Sequence, residues 1–262
     1  MTDEISAEDV HSGEAFALLV AAYERMRRVV WKDPRTNSDL LRAEGMRYVM
    51  NYISAGHLLC CELSDPYRPT FARWADITNT WGNDNPDCIY LFAAIDGIGT
   101  YEISGECGSA RHLDVQVHAP HFAEAPEYRV IASKGRPELV THGEREIKVI
   151  LSPNRHPENW IRTAPGVGSV CVRQYFYNWE DERPARLSIE RIDAASPRAS
   201  RSTAEMARNV ARLVRWLDRA EDFWDQLCKR SLETPPNTVP FGRAEETESG
   251  GLKGRANSKS LM

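Results

Sequence analysis

The sequence predicts a mostly β, α+β protein: an antiparallel β-sandwich or jelly-roll-like core flanked by an N-terminal helical hairpin and a long C-terminal helix. Three observations predict it. Apolar residues recur at helical spacing up to about residue 66 and again after about residue 196. Between them, short runs alternate apolar and polar with a period of two. Proline or glycine punctuates the passages between elements. The chain divides accordingly into a helical hairpin over 1–66, a sandwich core over 67–195, a long helix over 196–234, and a tail over 235–262 that is disordered or depends on a partner.

The first helix is expected from Ala7 or Gly13 to Val30. Phe16, Leu19, Val20, Tyr23, Met26 and Val30 make one apolar stripe, and Ser6 to Asp9 resembles a capping box. Asp33-Pro34 ends it. The second helix is expected from Ser38 to Leu63, with Leu41, Tyr48, Val49, Tyr52 and Ile53 on one face. Gly45 and Gly56 on or beside that face let another backbone come close, and Asp65-Pro66 stops the helix. This apolar side needs a cover, which the strand region supplies. Candidate strands are 70–78, 88–95, 100–104, 111–118, 127–132, 146–151, 168–177 and 186–192. Leu113, Val115 and Val117 alternate with His112, Asp114, Gln116 and His118; Val170, Val172 and Phe176 alternate with Arg173, Tyr175 and Tyr177. The runs Ile89–Ile95 and Thr100–Ser104, joined through Asp96-Gly97, carry a hairpin signal. Ser202 to Glu205 is a capping box for the last helix, along which Met206, Val210, Leu213, Val214, Leu217, Trp224 and Leu227 keep helical spacing until Thr234-Pro235-Pro236. Gly242 to Met262 is polar, Gly-rich and without apolar period, and is read as disordered.

Composition excludes several function classes. With 262 residues, 42% hydrophobic and 27% charged, and a net charge of −5, the chain has enough apolar material for a core and no basic face for nucleic acid. No run of about 18 apolar residues is present, so no membrane span is expected. The acidic N-terminus lacks an apolar signal core, which reads as cytoplasmic. Six cysteines without a CxxC pair read as buried, reduced thiols. There is no GxGxxG after a strand, no GxxxxGK[ST], no HExxH and no GxSxG. Nicotinamide, flavin, ATP and α/β-hydrolase readings are set aside, and no cofactor is expected.

Two motifs carry a family resemblance. Trp81-Gly82-Asn83-Asp84-Asn85-Pro86-Asp87 is followed by Tyr90, Ile95-Asp96-Gly97 and Thr100-Tyr101-Glu102-Ile103-Ser104-Gly105. Val172-Arg173-Gln174-Tyr175-Phe176-Tyr177-Asn178-Trp179 is followed by Pro184-Ala185 and Leu187-Ser188-Ile189-Glu190-Arg191. Over roughly Leu41 to Phe241 the chain resembles the bacterial domain-of-unknown-function family 1214, which is often found with family 1254. The resemblance implies an antiparallel sandwich and no established activity. It associates the chain with bacteria that degrade aromatic or steroid compounds. Such proteins commonly continue into further strands past an element like Pro235 to Thr238, so either the end is truncated or a partner, a second copy or another protein, supplies those strands, and an exposed sheet edge or an apolar groove is expected here.

Four groups of residues are candidates for chemistry. Asp84 and Asp87 either supply an acid–base carboxylate at the sheet's end or fix the Asn85-Pro86 turn, the latter favoured. His112, His118 and His121 either form a His-Asp pair or metal cluster with Asp114, or lie on the solvent face of an edge strand, again the favoured reading. Arg173, Tyr175 and Tyr177 share one strand face and suit a carboxylate-bearing, ring-containing ligand, or else a packed arginine over aromatics. Trp74, Trp81, Trp160 and Trp179 near strand ends either pack the core or line a pocket. The leading reading is a cofactor-independent lyase or hydrolase acting on a hydrophobic aromatic or steroid-like acid. Arg173, Tyr175 and Tyr177 would bind the substrate, and Asp87, His118 and Tyr90 would carry the proton chemistry, with no metal. The alternatives are a non-catalytic ligand-binding or assembly module, and a metal-dependent enzyme built on the histidines.

Overall fold

The computed structural model describes residues 5–32, 34, 37–82, 84–121, 129–143, 145–194, 202–220, 229 and 231–237. Asn83, Trp224, Leu227 and the tail from residue 238 lie outside the described residues.

Three helices open the chain. α1 (Ala7–Ser12) starts on a true capping box: Ser6 Oγ accepts from Asp9 N while the Asp9 carboxylate accepts from Ser6 N at 2.7 Å. Gly13, at φ +88°, ends α1 and begins α2 (Glu14–Trp31), so the single helix expected from Ala7 is two. α3 (Asp39–His57), capped by Ser38, passes into one π-helical turn over Leu58–Glu62. Both helical glycines allow close approach, though to side chains rather than backbone: Gly45 faces Val30 and Gly56 faces the Trp216 indole. α4 (Thr203–Arg219) is capped by Ser202.

Ten strands form two sheets. They are β1 (Ala72–Arg73), β2 (Cys88–Ala94), β3 (Tyr101–Glu106), β4 (His112–Ala119), β5 (Arg129–Gly135), β6 (Thr141–His142), β7 (Glu146–Ser152), β8 (Trp160–Arg162), β9 (Ser169–Tyr175) and β10 (Arg186–Arg191). The first sheet has the order β1-β2-β9-β4-β5 and the second β10-β3-β7-β6, with β8 pairing β7 in parallel. All other pairings are antiparallel. The sheets are open, not closed into a barrel, and the mostly β, α+β class stands.

The expected hairpin is not one. β2 and β3 follow each other in sequence but belong to different sheets. After Ala94 the chain leaves the first sheet: Ile95 N and Gly97 N donate to Gly168 O and Val167 O, at 3.2 and 3.1 Å, and Gly99 N bonds Asp96 O at 2.9 Å. Gly97 is packed against the Ala164 carbonyl, leaving no room for a side chain. The Asp96-Gly97 connection therefore arches across the core. The strand expected over 70–78 shrinks to Ala72–Arg73, and that expected over 168–177 ends at Tyr175, leaving Tyr177 beyond it.

Two apolar layers result. Between the sheets lie Ala93, Ile103, Leu113, Val115, Val117, Val149, Leu151, Val170 and Val172. Between the first sheet and the helices lie Tyr52, Leu59, Leu213 and Trp216 from the helical side and Tyr90, Phe92, Ala94 and Cys171 from the sheet. An aromatic line joins them: Tyr52 stacks on Trp216 at 4.7 Å, Trp81 meets both edge-on, and Trp74 stacks on Phe92 at 5.6 Å. The first sheet is thus covered on both faces, which explains the unbroken apolar run of β2. Among the described residues no helix is long and apolar enough to cross a membrane.

Candidate functional site

The helix-facing side of the first sheet holds a buried polar array. β9 lies in the middle, and its residues Ser169, Cys171, Arg173 and Tyr175 stand opposite Ala94, Phe92, Tyr90 and Cys88 of β2. On the other flank they stand opposite His118, Gln116, Asp114 and His112 of β4. Cross-strand neighbours in such a sheet have Cα atoms about 4.5–5.5 Å apart. Tyr90, Arg173 and Asp114 therefore form one row across three strands.

Arg173 is only 4% exposed, and its guanidinium lies 5.5 Å from the Tyr90 ring centroid. Along β4 a single amide joins the polar groups. Gln116 Nε2 donates to Asp114 Oδ2, and Gln116 Oε1 faces His118 Nε2 at 3.3 Å. Because the amide nitrogen is committed to a carboxylate, its oxygen must accept; His118 then carries its proton on Nε2 and keeps the Nδ1 lone pair. Tyr90 Oη accepts from Asn85 N at 3.1 Å, tying the Asn85-Pro86 turn to the row. Ser169 Oγ, opposite His118, is buried and has no hydrogen-bond partner among the described residues.

Burial sets the protonation states. It pushes the Asp114 carboxyl upward, against the Gln116 hydrogen bond and the Arg173 charge that pull it down. His118, fully buried and beside Arg173, is pushed down to about 3 and is neutral at physiological pH. Burial raises the Tyr90 phenol, lifts the Cys88 thiol to about 12 and raises Cys171, so these groups stay protonated. The array thus offers one fixed cation, one carboxyl shifted toward neutrality, and a neutral imidazole.

Of the residues the sequence singles out, Tyr90 and Arg173 stand in one row, and His118 lies two rows along β4, opposite Ser169. Tyr175 sits one row away, half-buried against the helical core. Asp87 and Tyr177 do not join them. Asp87 is exposed before β2, where its carboxylate accepts from Trp179 Nε1 at 3.3 Å. Tyr177 is 73% exposed and lies against Arg111 and His112. Burial raises the half-buried Asp84 carboxyl.

The histidines do not converge either. His112 is exposed, whereas His121 is buried with its ring edge-on to Phe92 at 5.7 Å. Among the described residues no group of three His, Cys, Asp or Glu is placed to hold a metal ion. The solvent-face, edge-strand reading of β4 is corrected as well: β4 lies between β9 and β5, and on that face Gln116 and His118 are buried while His112 is exposed. Alternation placed Asp114 and Gln116 beside His118; what it lacked was the cover. Ser169 and Cys171 were missed because small residues in an apolar strand give no signal. The tryptophans pack rather than line a pocket: Trp74 and Trp81 are in the helical core, Trp179 stacks on Phe176 at 4.2 Å, and Trp160 Nε1 bonds Ser152 O at 2.9 Å.

No family model matches the chain, and no curated protein matches it. Among solved structures it is similar to an uncharacterized protein from Burkholderia cenocepacia, with a TM-score of 0.80 and 24% identity over 87% of this chain and 63% of that one. The chain thus spans less than two thirds of that protein's length, and the likeness is one of fold. A protein from Vibrio parahaemolyticus aligns with a TM-score of 0.34 and 12% identity, over 62% of this chain and 46% of that one.

Proposed function

We propose that the chain is a cofactor-independent enzyme of lyase or hydrolase type, acting on a hydrophobic aromatic or steroid-like carboxylic acid, within unknown-function family 1214. The observation that carries this reading is the Tyr90–Arg173–Asp114 row: a buried guanidinium beside an aromatic face and a carboxyl whose pKa is raised. Arg173 pairs with the substrate carboxylate, and the tyrosine ring packs on its apolar body. Asp114 takes a proton, from a substrate carbon in a lyase or from water in a hydrolase, and returns it to the leaving group. Gln116 and His118 hold the Asp114 carboxylate in place. Arg173 is 4% exposed, so this reading requires the helical layer to shift from the sheet for a ligand to reach the row.

That same burial favours a second reading, a non-catalytic ligand-binding module. One experiment separates the two and tests both. Thermal stabilisation and turnover are measured with a panel of aromatic and steroid-like acids and their methyl esters. The proposal expects stabilisation by an acid but not its ester, lost in Arg173→Met, and turnover lost in Asp114→Asn with binding retained. Stabilisation without turnover supports the binding module. Equal responses of wild type and Arg173→Met to every acid contradict both.

A further inference from the structure

We propose that β10 is a docking edge for a second copy of this chain, paired antiparallel about a two-fold axis at Ser188. β10 is the end strand of the second sheet and is paired on one side only, to β3, over all of Arg186–Arg191. The hydrogen-bond phase fixes which groups face outward. Ile192 N donates to Thr100 O at 2.9 Å, so even-numbered residues bond β3, and the N–H and C=O groups of Leu187 and Ile189 point away from it. No described residue pairs with that edge.

The side chains match a copy of themselves. Arg186, Ser188 and Glu190 are exposed on the outer face, whereas Leu187 and Ile189 face the core between the sheets. About Ser188, antiparallel pairing sets Arg186 opposite the second copy's Glu190, twice. It also sets Leu187 opposite Ile189, continuing the apolar layer across the axis and satisfying the outward amides.

The existing sheet leaves Glu190 in need of such a neighbour. Its partner across β3 is Glu102, a like charge, and Glu102 is engaged by Lys148 at 2.9 Å. Like charges directly opposite each other destabilise a sheet, and a cation on the open flank offsets that repulsion. Arg186 of a second copy supplies it. Charged edge residues of one sign would block pairing; opposite signs at mirror positions select one register.

Light scattering across a concentration series tests the proposal. Wild type is expected to form a dimer. Arg186→Glu and Glu190→Arg, both solvent-exposed and so expected to keep the fold's circular dichroism and melting midpoint, are each expected to be monomers. The double variant R186E/E190R restores the pairing in reverse and is expected to dimerise again. A monomeric wild type, a dimer indifferent to the single swaps, or a double variant that stays monomeric each overturns the proposal.

Discussion

Acidification should destabilise this protein through two histidines before most of its carboxylates matter. His118 is fully buried beside Arg173 of β9, and His121 is buried near Arg212 and Arg215 of α4. Burial is the main cause in both, and each is lowered from 6.5 to about 3. A lowered folded-state pKa on a base means that protons favour the unfolded chain. The stability is complete above pH 6.5 and is lost as the pH falls toward 3. Linkage gives a loss of about 2 kcal/mol per histidine between pH 7 and pH 5, or about 4 kcal/mol for both, set against a typical total of about 5–15 kcal/mol. Asp114 acts the other way, because its raised pKa means that protonation favours the folded form, and it offsets part of the loss. Carboxylates with lowered values, such as Asp76 and Asp193, contribute only as the pH drops through about 4. Urea denaturation at successive pH values measures the effect. His118→Gln retains a polar group beside Gln116 and should lose about 2 kcal/mol less than wild type over this interval. If wild type, His118→Gln and His121→Gln fall with the same pH dependence, the buried-imidazole argument is refuted.

Two further outcomes test the packing. Tyr52→Phe removes the buried hydrogen bond from Tyr52 Oη to Trp216 O, 3.1 Å long, and should cost about 1–2 kcal/mol by denaturant titration, with the stacked rings preserved. Gly97→Ala drives a methyl group into the Ala164 carbonyl and Val167 of the loop that precedes β9 and faces the arch, and should cost about 3 kcal/mol or more by the same measure.

Much of the fold was legible because its rules are local. Period-two alternation marked β4, β7 and β9, and helical spacing with Ser6, Ser38 and Ser202 marked the helices. The short β6 and β8 carry too few residues for any period to show. The Asp96-Gly97 connection was misread because a hairpin and an arch between sheets use the same turn residues. What separates them is the Gly168 and Val167 carbonyls waiting some 70 residues away, which no local pattern contains. The site followed the same division. Alternation put Asp114, Gln116 and His118 on one face, and Arg173 on the matching face of its strand. Which face the helices would cover depended on Tyr52, Leu213 and Trp216 meeting Phe92 and Cys171, a tertiary fact. Proline and asparagine turns likewise drew attention to Asp87, which the fold leaves outside the array bonded to Trp179.

The central claim is that Gln116 and His118 of β4 are shielded from solvent on the side of the first sheet that holds Arg173. Carbethoxylation by diethyl pyrocarbonate, read site by site by mass spectrometry, tests it most directly across the seven histidines. The account predicts that His118 and His121 resist modification in the folded protein while His11, His57, His112 and His142, all exposed, react readily. Modification of His118 at the rate of His112, its neighbour on the same strand face, would contradict it.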